Sequence, residues 1–480
     1  MQSRARKILY CLCAGLLLVG ANGMQRSLIR QRTQAPLNIT PISPLEDAPP
    51  VLAFTTVALG SFRGLIANVL WVRANDLQQE GRYFEMVQLA DWITKLEPTF
   101  TEVWVVQAWN MAYNISVKFT DPADRWRWVK SGIELLRDDG LRYNPNEALM
   151  YRELGWFFQH KMGQNLDDAH HFYKATWARE MTELLGGGKP DFAALIQPQT
   201  AEARQRARTL RDHYKMDPQF MKEVDSLYGP LDWRLPESHA IYWAALGLKY
   251  SRVEDQITLR RVIYQSMAMA VLRGRIVYIE PSGRLHTGPD LSRIDRANAA
   301  YEKMIEEDVE RPHAVKNAHR GWLRELVYLL YIHNRNAESR KWFDYLKGKY
   351  PDAVPPDVVS ADEFAFKRMQ ENISGLSHDR TVAALEGLIA QHLFNLAVDE
   401  DDRADGLDRL ARKVWLDYDK RIEGRRQVLQ LRPYEEMKRT VVDQLLDPKG
   451  GLQPELAARL RAKLGLPASA AASAAPRTGP

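Results

Sequence analysis

The densest grouping of reactive side chains in the sequence is His160, Asp167, Asp168, His170 and His171. Imidazoles and a carboxylate within one helical turn form a donor set that holds zinc or iron. The spacing favours a plainer role. His160 falls on the preceding helix, and Asp167 and Asp168 stand where an N-terminal cap accepts backbone N–H groups and complements the helix dipole. The cluster reads as capping, with no metal and no cofactor expected. In "EPSGRLHTG", Glu280, Ser282 and His286 lie close together, but a catalytic triad needs a base oriented by a third group beside an oxyanion hole, and proximity on one hairpin supplies neither. In "DRWRWVK", Arg125 and Arg127 alternate with Trp126 and Trp128, a pairing that can stack bases. On a helix after Pro122, the two indoles are expected to pack between helices while the cations reach water. No phosphate-binding loop, dinucleotide fingerprint, HExxH or GxSxG occurs, and the chain is expected not to be an enzyme.

One polar stripe points to binding. Gln107, Asn110 and Asn114 stand at i, i+3 and i+7, and side-chain amides offer both the donors and the acceptors that an extended peptide needs. The same helix carries Trp104, Ala108 and Met111 toward a core. Arg63, Arg73, Arg152 and Lys249 are expected to bias the binding surface positively.

Charge and composition set the frame for these residues. The 66 basic and 61 acidic residues leave a net charge of +5, small for 480 residues and unlike a nucleic-acid footprint. Both cysteines, Cys11 and Cys13, sit in the N-terminal apolar run, which removes a disulfide framework and a cysteine-based zinc site from the body. Arg4, Arg6 and Lys7 precede the uncharged stretch Ile8 to Met24, the pattern of an export signal. At about 17 residues this run reaches the lower limit for a membrane-spanning helix. It is expected to remain as a single-pass anchor with the main domain on the extracytoplasmic side. The alternatives are cleavage after Gly23, which would leave a secreted or periplasmic protein, and a buried helix.

The body shows helical punctuation. "WAALGLKY" places Trp243, Leu246, Gly247 and Tyr250 at the spacing of a tetratricopeptide helix, and "YRELGWFF" repeats it with Tyr151, Leu154, Gly155 and Phe158. The small residue lets a partner helix approach, and the bulky ones fill the space between pairs. Weaker matches are "WVVQAWNM" at Trp104 and "LRELVYLL" at Leu323, and Pro98, Pro145 and Pro351 mark helix ends. On these residues the chain resembles the tetratricopeptide-repeat (TPR)-like helical family, irregularly and over Ala53 to about Pro351. It also resembles membrane-anchored bacterial proteins of that kind. The resemblance implies an all-α, TPR-like α-solenoid of antiparallel helix pairs, in which the helix bearing Gln107, Asn110 and Asn114 lines a concave groove for a protein partner.

The expected order is a basic n-region (1–7), the anchor (8–24), a Pro-rich linker with five prolines between Gln31 and Val51 (25–52), and N-terminal TPR-like helices (53–184). An inserted segment follows (185–236), then further helices with a β-hairpin near 275–289 (237–355). A C-terminal helical region (356–466) forms either a capping pair or an oligomerisation arm, and a short tail (467–480) has too little bulky apolar content to fold. The function this composes is protein–protein interaction or assembly in a bacterial-type cell envelope, with contact to the membrane through the N-terminal helix and none to nucleic acid. Two rivals are an all-helical glycan-processing enzyme, which would need two carboxylates roughly 5–10 Å apart in an aromatic cleft, and an accessory subunit of a membrane complex.

Overall fold

A computed structural model describes residues 62–280, 285–373, 378–421 and 431–467, with isolated positions before residue 32. The proposed anchor, the Pro-rich linker, Ser282 and most of the tail lie outside the described residues. Among the described residues the fold is all-α apart from one two-stranded sheet. It divides into two units: residues up to Ile115 with Glu134–Pro145, and Ser116–Ile133 with everything from Asn146 onward.

In the first unit, α1 (Phe62–Gln79) and α2 (Tyr83–Leu96) are separated by Gly81, whose φ of 73° reverses the chain at a position that L side chains rarely occupy. Pro98 then ends the run, and α3 (Thr101–Trp109) continues through a π-helical turn, Asn110–Ile115. Ala67, Ala90, Ile93 and Val103 form the apolar centre, flanked by Leu70, Trp71 and Phe100. The Pro98 carbonyl accepts two side-chain donors at 2.9 Å, Trp104 Nε1 and Asn144 Nδ2, and so fixes the loop.

The second unit opens with α4 (Pro122–Glu134), α5 (Ala148–Trp156) and α6 (His170–Leu185). A π-helical turn, Phe157–Met162, prolongs α5, and Gly186 in the left-handed region closes α6. The segment expected as an insertion forms α7 (Phe192–Ile196), α8 (Ala201–Asp212) and α9 (Pro218–Tyr228). It is more than a loop, because its Trp233 is fully buried against Tyr242 and His239. Next come α10 (Pro236–Tyr250), α11 (Gln256–Arg273) and the antiparallel hairpin β1 (Arg275–Ile279) and β2 (Leu285–Gly288). Ser238, in the first turn of α10, donates to the Asp232 carbonyl, and the cap position is Leu235.

The two matched motifs meet. A methyl group built on Gly247 would lie 2.6 Å from Tyr151 Cβ and 2.9 Å from Leu259 Cδ1; one built on Gly155 would lie 3.0 Å from Val262 Cγ1 and 3.3 Å from the Ala240 carbonyl. Gly247 therefore admits its partner helix at a distance that a Cβ would not permit without a shift, and Gly155 at one that a Cβ would crowd. The early residue of α5 meets the late residue of α10, and Tyr151 stacks on Tyr250 with ring centres 6.4 Å apart, so α5 and α10 run antiparallel. Stacked repeats related by a small rotation would keep equivalent helices running the same way. The two motifs thus build one close-packed pair, with α11 alongside both, rather than successive equivalents of a regular array.

The remaining helices are α12 (Ile294–Glu307), α13 (Pro312–Ile332), α14 (Asn336–Lys349), α15 (Ala361–Ile373), α16 (His378–Ala397), α17 (Asp401–Arg421), α18 (Tyr434–Leu445) and α19 (Pro454–Lys463). Leu385, Ile389 and Leu393 of α16 pack with Leu407, Leu410 and Val414 of α17 and with Leu329 and Ile332 of α13. This cluster buries the apolar stripe of α16 against α17 and α13.

Gly247→Ala is expected to cost about 1–3 kcal/mol through overpacking. Gly321, on α13, has no atom within 4 Å of a built Cβ, and its change to Ala is expected to add roughly 0.5–1 kcal/mol by restricting the unfolded helix. Denaturant unfolding of the two variants checks the contrast; equal effects would refute the close contact at residue 247.

Candidate binding groove

The expected amide stripe is interior. Gln107 and Asn110 are 3% and 1% exposed. Asn110 Nδ2 donates to the Tyr83 carbonyl at 3.0 Å, and Gln107 Nε2 reaches the Val87 carbonyl at 3.5 Å, so both tie α3 to α2. Asn114 Nδ2 donates to Asn110 Oδ1 at 3.2 Å. A backbone carbonyl left by a neighbouring helix outcompetes a future ligand for such a donor, because a buried unpaired group costs about 1–3 kcal/mol. The cations intended for the same surface are also engaged. Arg73 pairs with Glu80 at 3.3 Å, Arg152 pairs with Glu153, and Lys249 lies 5.5 Å from the Phe220 ring centre. The side chain of Arg63 lies outside the described residues.

Asp167 and Asp168 do not cap α6 as expected: the cap position is Ala169, without a side-chain acceptor, and Asp168 pairs with Arg125. Asp167 accepts from Lys161 Nζ at 2.6 Å, Tyr173 Oη at 3.0 Å, Arg125 Nη1 at 3.0 Å and the Ala169 N–H at 2.9 Å. Burial alone would raise its pKa, but Lys161 and the N–H and O–H donors outweigh that and hold it at about 2. No group of three metal-binding side chains occurs among the described residues. Trp126 packs against Tyr173 and Trp177 as expected, and Arg127 faces outward to Asp124, whereas Arg125 turns inward to Asp167 and Asp168. Across the hairpin, Glu280 and His286 are 2.6 Å apart, with Phe394 beside the imidazole at 4.8 Å.

The arrangement best suited to a ligand lies where α5, α11 and α13 converge on an open groove of about 490 Å³. The π turn after Trp156 rotates His160 onto the groove, and its ring stacks on Trp156 at 4.5 Å and 11°. The Arg152 guanidinium lies 5.5 Å from the Trp156 ring centre, and the buried Trp156 Nε1 has no acceptor among the described residues. Burial, and secondarily the charge of Lys161, lower the His160 pKa and keep the imidazole neutral. Opposite, Trp322 Nε1 donates to the Ala268 carbonyl at 3.3 Å and its ring leans on Tyr301 at 5.4 Å. Gln159 is committed to Val262 and Ser266, while Gln164 and Gln265 make only long contacts of 3.5 Å, to Met269 Sδ and Tyr264 Oη. Glu325 is the single carboxylate of the lining, held by Arg368 at 2.8 Å. Gly321 leaves the floor open.

A groove so lined offers aromatic faces and side-chain amides to its open space. It does not supply the two facing carboxylates of glycoside hydrolysis. Sequence reading singled out Trp156 only inside the motif "YRELGWFF", because the π turn and the pairing with Trp322, 166 positions later, leave no periodic signal. No family model, no curated protein and no solved structure matches the chain. The described residues form an all-α protein with one small hairpin.

Buried histidines give the fold a pH dependence. His239, His319 and His333 are fully or nearly buried, and burial lowers each pKa to about 4, against about 6.5 in an open chain. The unfolded chain then takes protons that the folded one refuses. Stability is expected to be level above pH 6.5 and to fall between 6.5 and 4, by roughly 1.4 kcal/mol per pH unit for each such group. Denaturant midpoints at pH 7.5 and pH 5 measure it, and His239→Gln should make the slope shallower; an unchanged midpoint would contradict the assignment.

Proposed function

We propose that the chain is a membrane-anchored helical scaffold of a bacterial-type envelope, which docks an extended segment of a partner protein in the groove between Trp156 and Trp322. The observation that carries this is the groove itself, in which two indoles, loosely engaged Gln164 and Gln265, and one carboxylate surround open space. Peptide backbones carry donors and acceptors in alternation, which side-chain amides match, and side chains of the segment would stack on the rings. In architecture we favour an irregular, TPR-like stack of helical hairpins, supported by the close contacts at Gly155 and Gly247 and tempered by the antiparallel course of the two motifs.

The membrane part of the proposal rests on Arg4, Arg6 and Lys7 followed by the uncharged Ile8 to Met24. No helix among the described residues is long and apolar enough to cross a membrane. An anchored scaffold of this kind would hold its partner close to the bilayer, where tethering raises the effective concentration of weakly bound segments.

Gly321→Leu separates binding from folding. The site is open, so the side chain is expected to fill the groove while leaving the unfolding midpoint equal or higher. Purification of the full-length protein from native membranes, with quantitative comparison of co-purifying chains, is expected to show at least a tenfold loss of one partner in this variant and in Trp156→Ala. Unchanged recovery of every partner would overturn the groove as the docking site.

A further inference from the structure

α1 carries an apolar face that the first unit does not use. Phe62, Leu65, Val69 and Val72 are 70%, 62%, 63% and 62% exposed. At 100° per residue, positions i, i+3, i+7 and i+10 fall in an arc of about 80°, a stripe about 15 Å long. The opposite side of the helix is fully occupied, with Ala67, Ala74 and Leu77 buried against α2 and α3 and Trp71 leaning on Phe100 at 5.7 Å. The stripe is therefore not a packing residue of the unit's own core. It belongs to a longer sequence feature. From Val51 to Val72, "VLAFTTVALGSFRGLIANVLWV" carries one charged residue, Arg63, and from Ala48 to Asn75 the only charges are Arg63 and Arg73, with no carboxylate.

We propose that this face of α1 lies on the lipid bilayer, as an interfacial second contact beyond the N-terminal segment. The occupant follows from the chain. A run of 22 residues with a single charge that ends on an exposed apolar stripe matches the hydrocarbon boundary of a membrane surface. Its second half cannot span, because Ala67 and Trp71 are held by α2 and α3. α1 would lie in the membrane plane and fix how the first unit stands on the bilayer, so that the linker before it does not let the unit swing freely. The inference rests on the membrane association proposed above, and its test reports on the two contacts separately.

The full-length chain, with Cys11 and Cys13 changed to Ser, is reconstituted in vesicles of phosphatidylethanolamine and phosphatidylglycerol. An environment-sensitive fluorophore is attached at one new cysteine at a time: Leu65→Cys and Val69→Cys on the stripe, Gln88→Cys on an exposed position of α2, and Leu16→Cys in the N-terminal run. Labels at 65 and 69 are expected to be quenched by nitroxide-labelled lipid at least threefold more than the label at 88, and to be shielded from aqueous iodide. Adding Leu65→Asp should abolish the lipid quenching at 69. Iodide quenching at 65 and 69 equal to that at 88 would overturn the proposal. So would shielding from both quenchers with cross-links between copies, which would make the stripe a contact of the chain with itself. Lipid quenching at 65 and 69 without any at 16 would keep this contact and remove the N-terminal anchor; the reverse pattern would do the opposite.

Discussion

Two residues without side chains set the geometry of the second unit. At Gly155 and Gly247 the backbones of α5 and α10 come within reach of each other and of Leu259 and Val262 on α11, at distances that a single methyl group would close off. Three helices so joined behave as one layer, because interiors are close-packed and give little under strain. Trp156 follows Gly155 directly, and Gln159, three residues later, bonds across to Val262 and Ser266 of α11. The wall of the groove is thus positioned by the glycine contact and locked by an amide pair. α13 supplies the facing wall through Trp322, whose indole N–H is fixed on α11.

Around this layer, several buried carboxylates are satisfied locally. Asp167 gathers an ammonium, a guanidinium, a phenol and a backbone N–H, the full capacity of a carboxylate. Arg261 grips the fully buried Asp308 at 2.6 and 2.8 Å, and Arg273 holds Glu237 at 2.9 Å. Removing one partner of such a pair would leave an uncompensated buried charge and is strongly destabilising. Trp156 Nε1 shares its lack of an acceptor with interior atoms such as Trp177 Nε1 and His239 Nδ1; what sets the groove apart is the open space beside the loosely engaged Gln164 and Gln265.

Much of the helical order was legible from proline and glycine. Pro218, Pro236, Pro312 and Pro454 each stand in the first turn of a helix, and "GGGKP" ends α6 through Gly186. The leucine–glycine motifs identified a close helix contact correctly, because steric need writes small residues into the sequence. Their direction was not legible, since a glycine admits a parallel or an antiparallel neighbour equally well. The stripe Gln107, Asn110 and Asn114 had helical periodicity but no mark of which face was buried, and the deciding acceptors, the carbonyls of Tyr83 and Val87, belong to another helix. Nor does local sequence announce a π turn, which adds one residue to a turn and re-aims His160.

The central claim is that the space between Trp156 and Trp322 is where another protein lies. The direct measurement is site-specific photocrosslinking in native membranes, with the photoreactive side chain at Gln265 on the groove wall and, for comparison, at the exposed Arg127. The account predicts a discrete adduct from position 265 that maps to one short segment of one partner and is absent from position 127. Identical adducts from both positions, or none from 265, would contradict it.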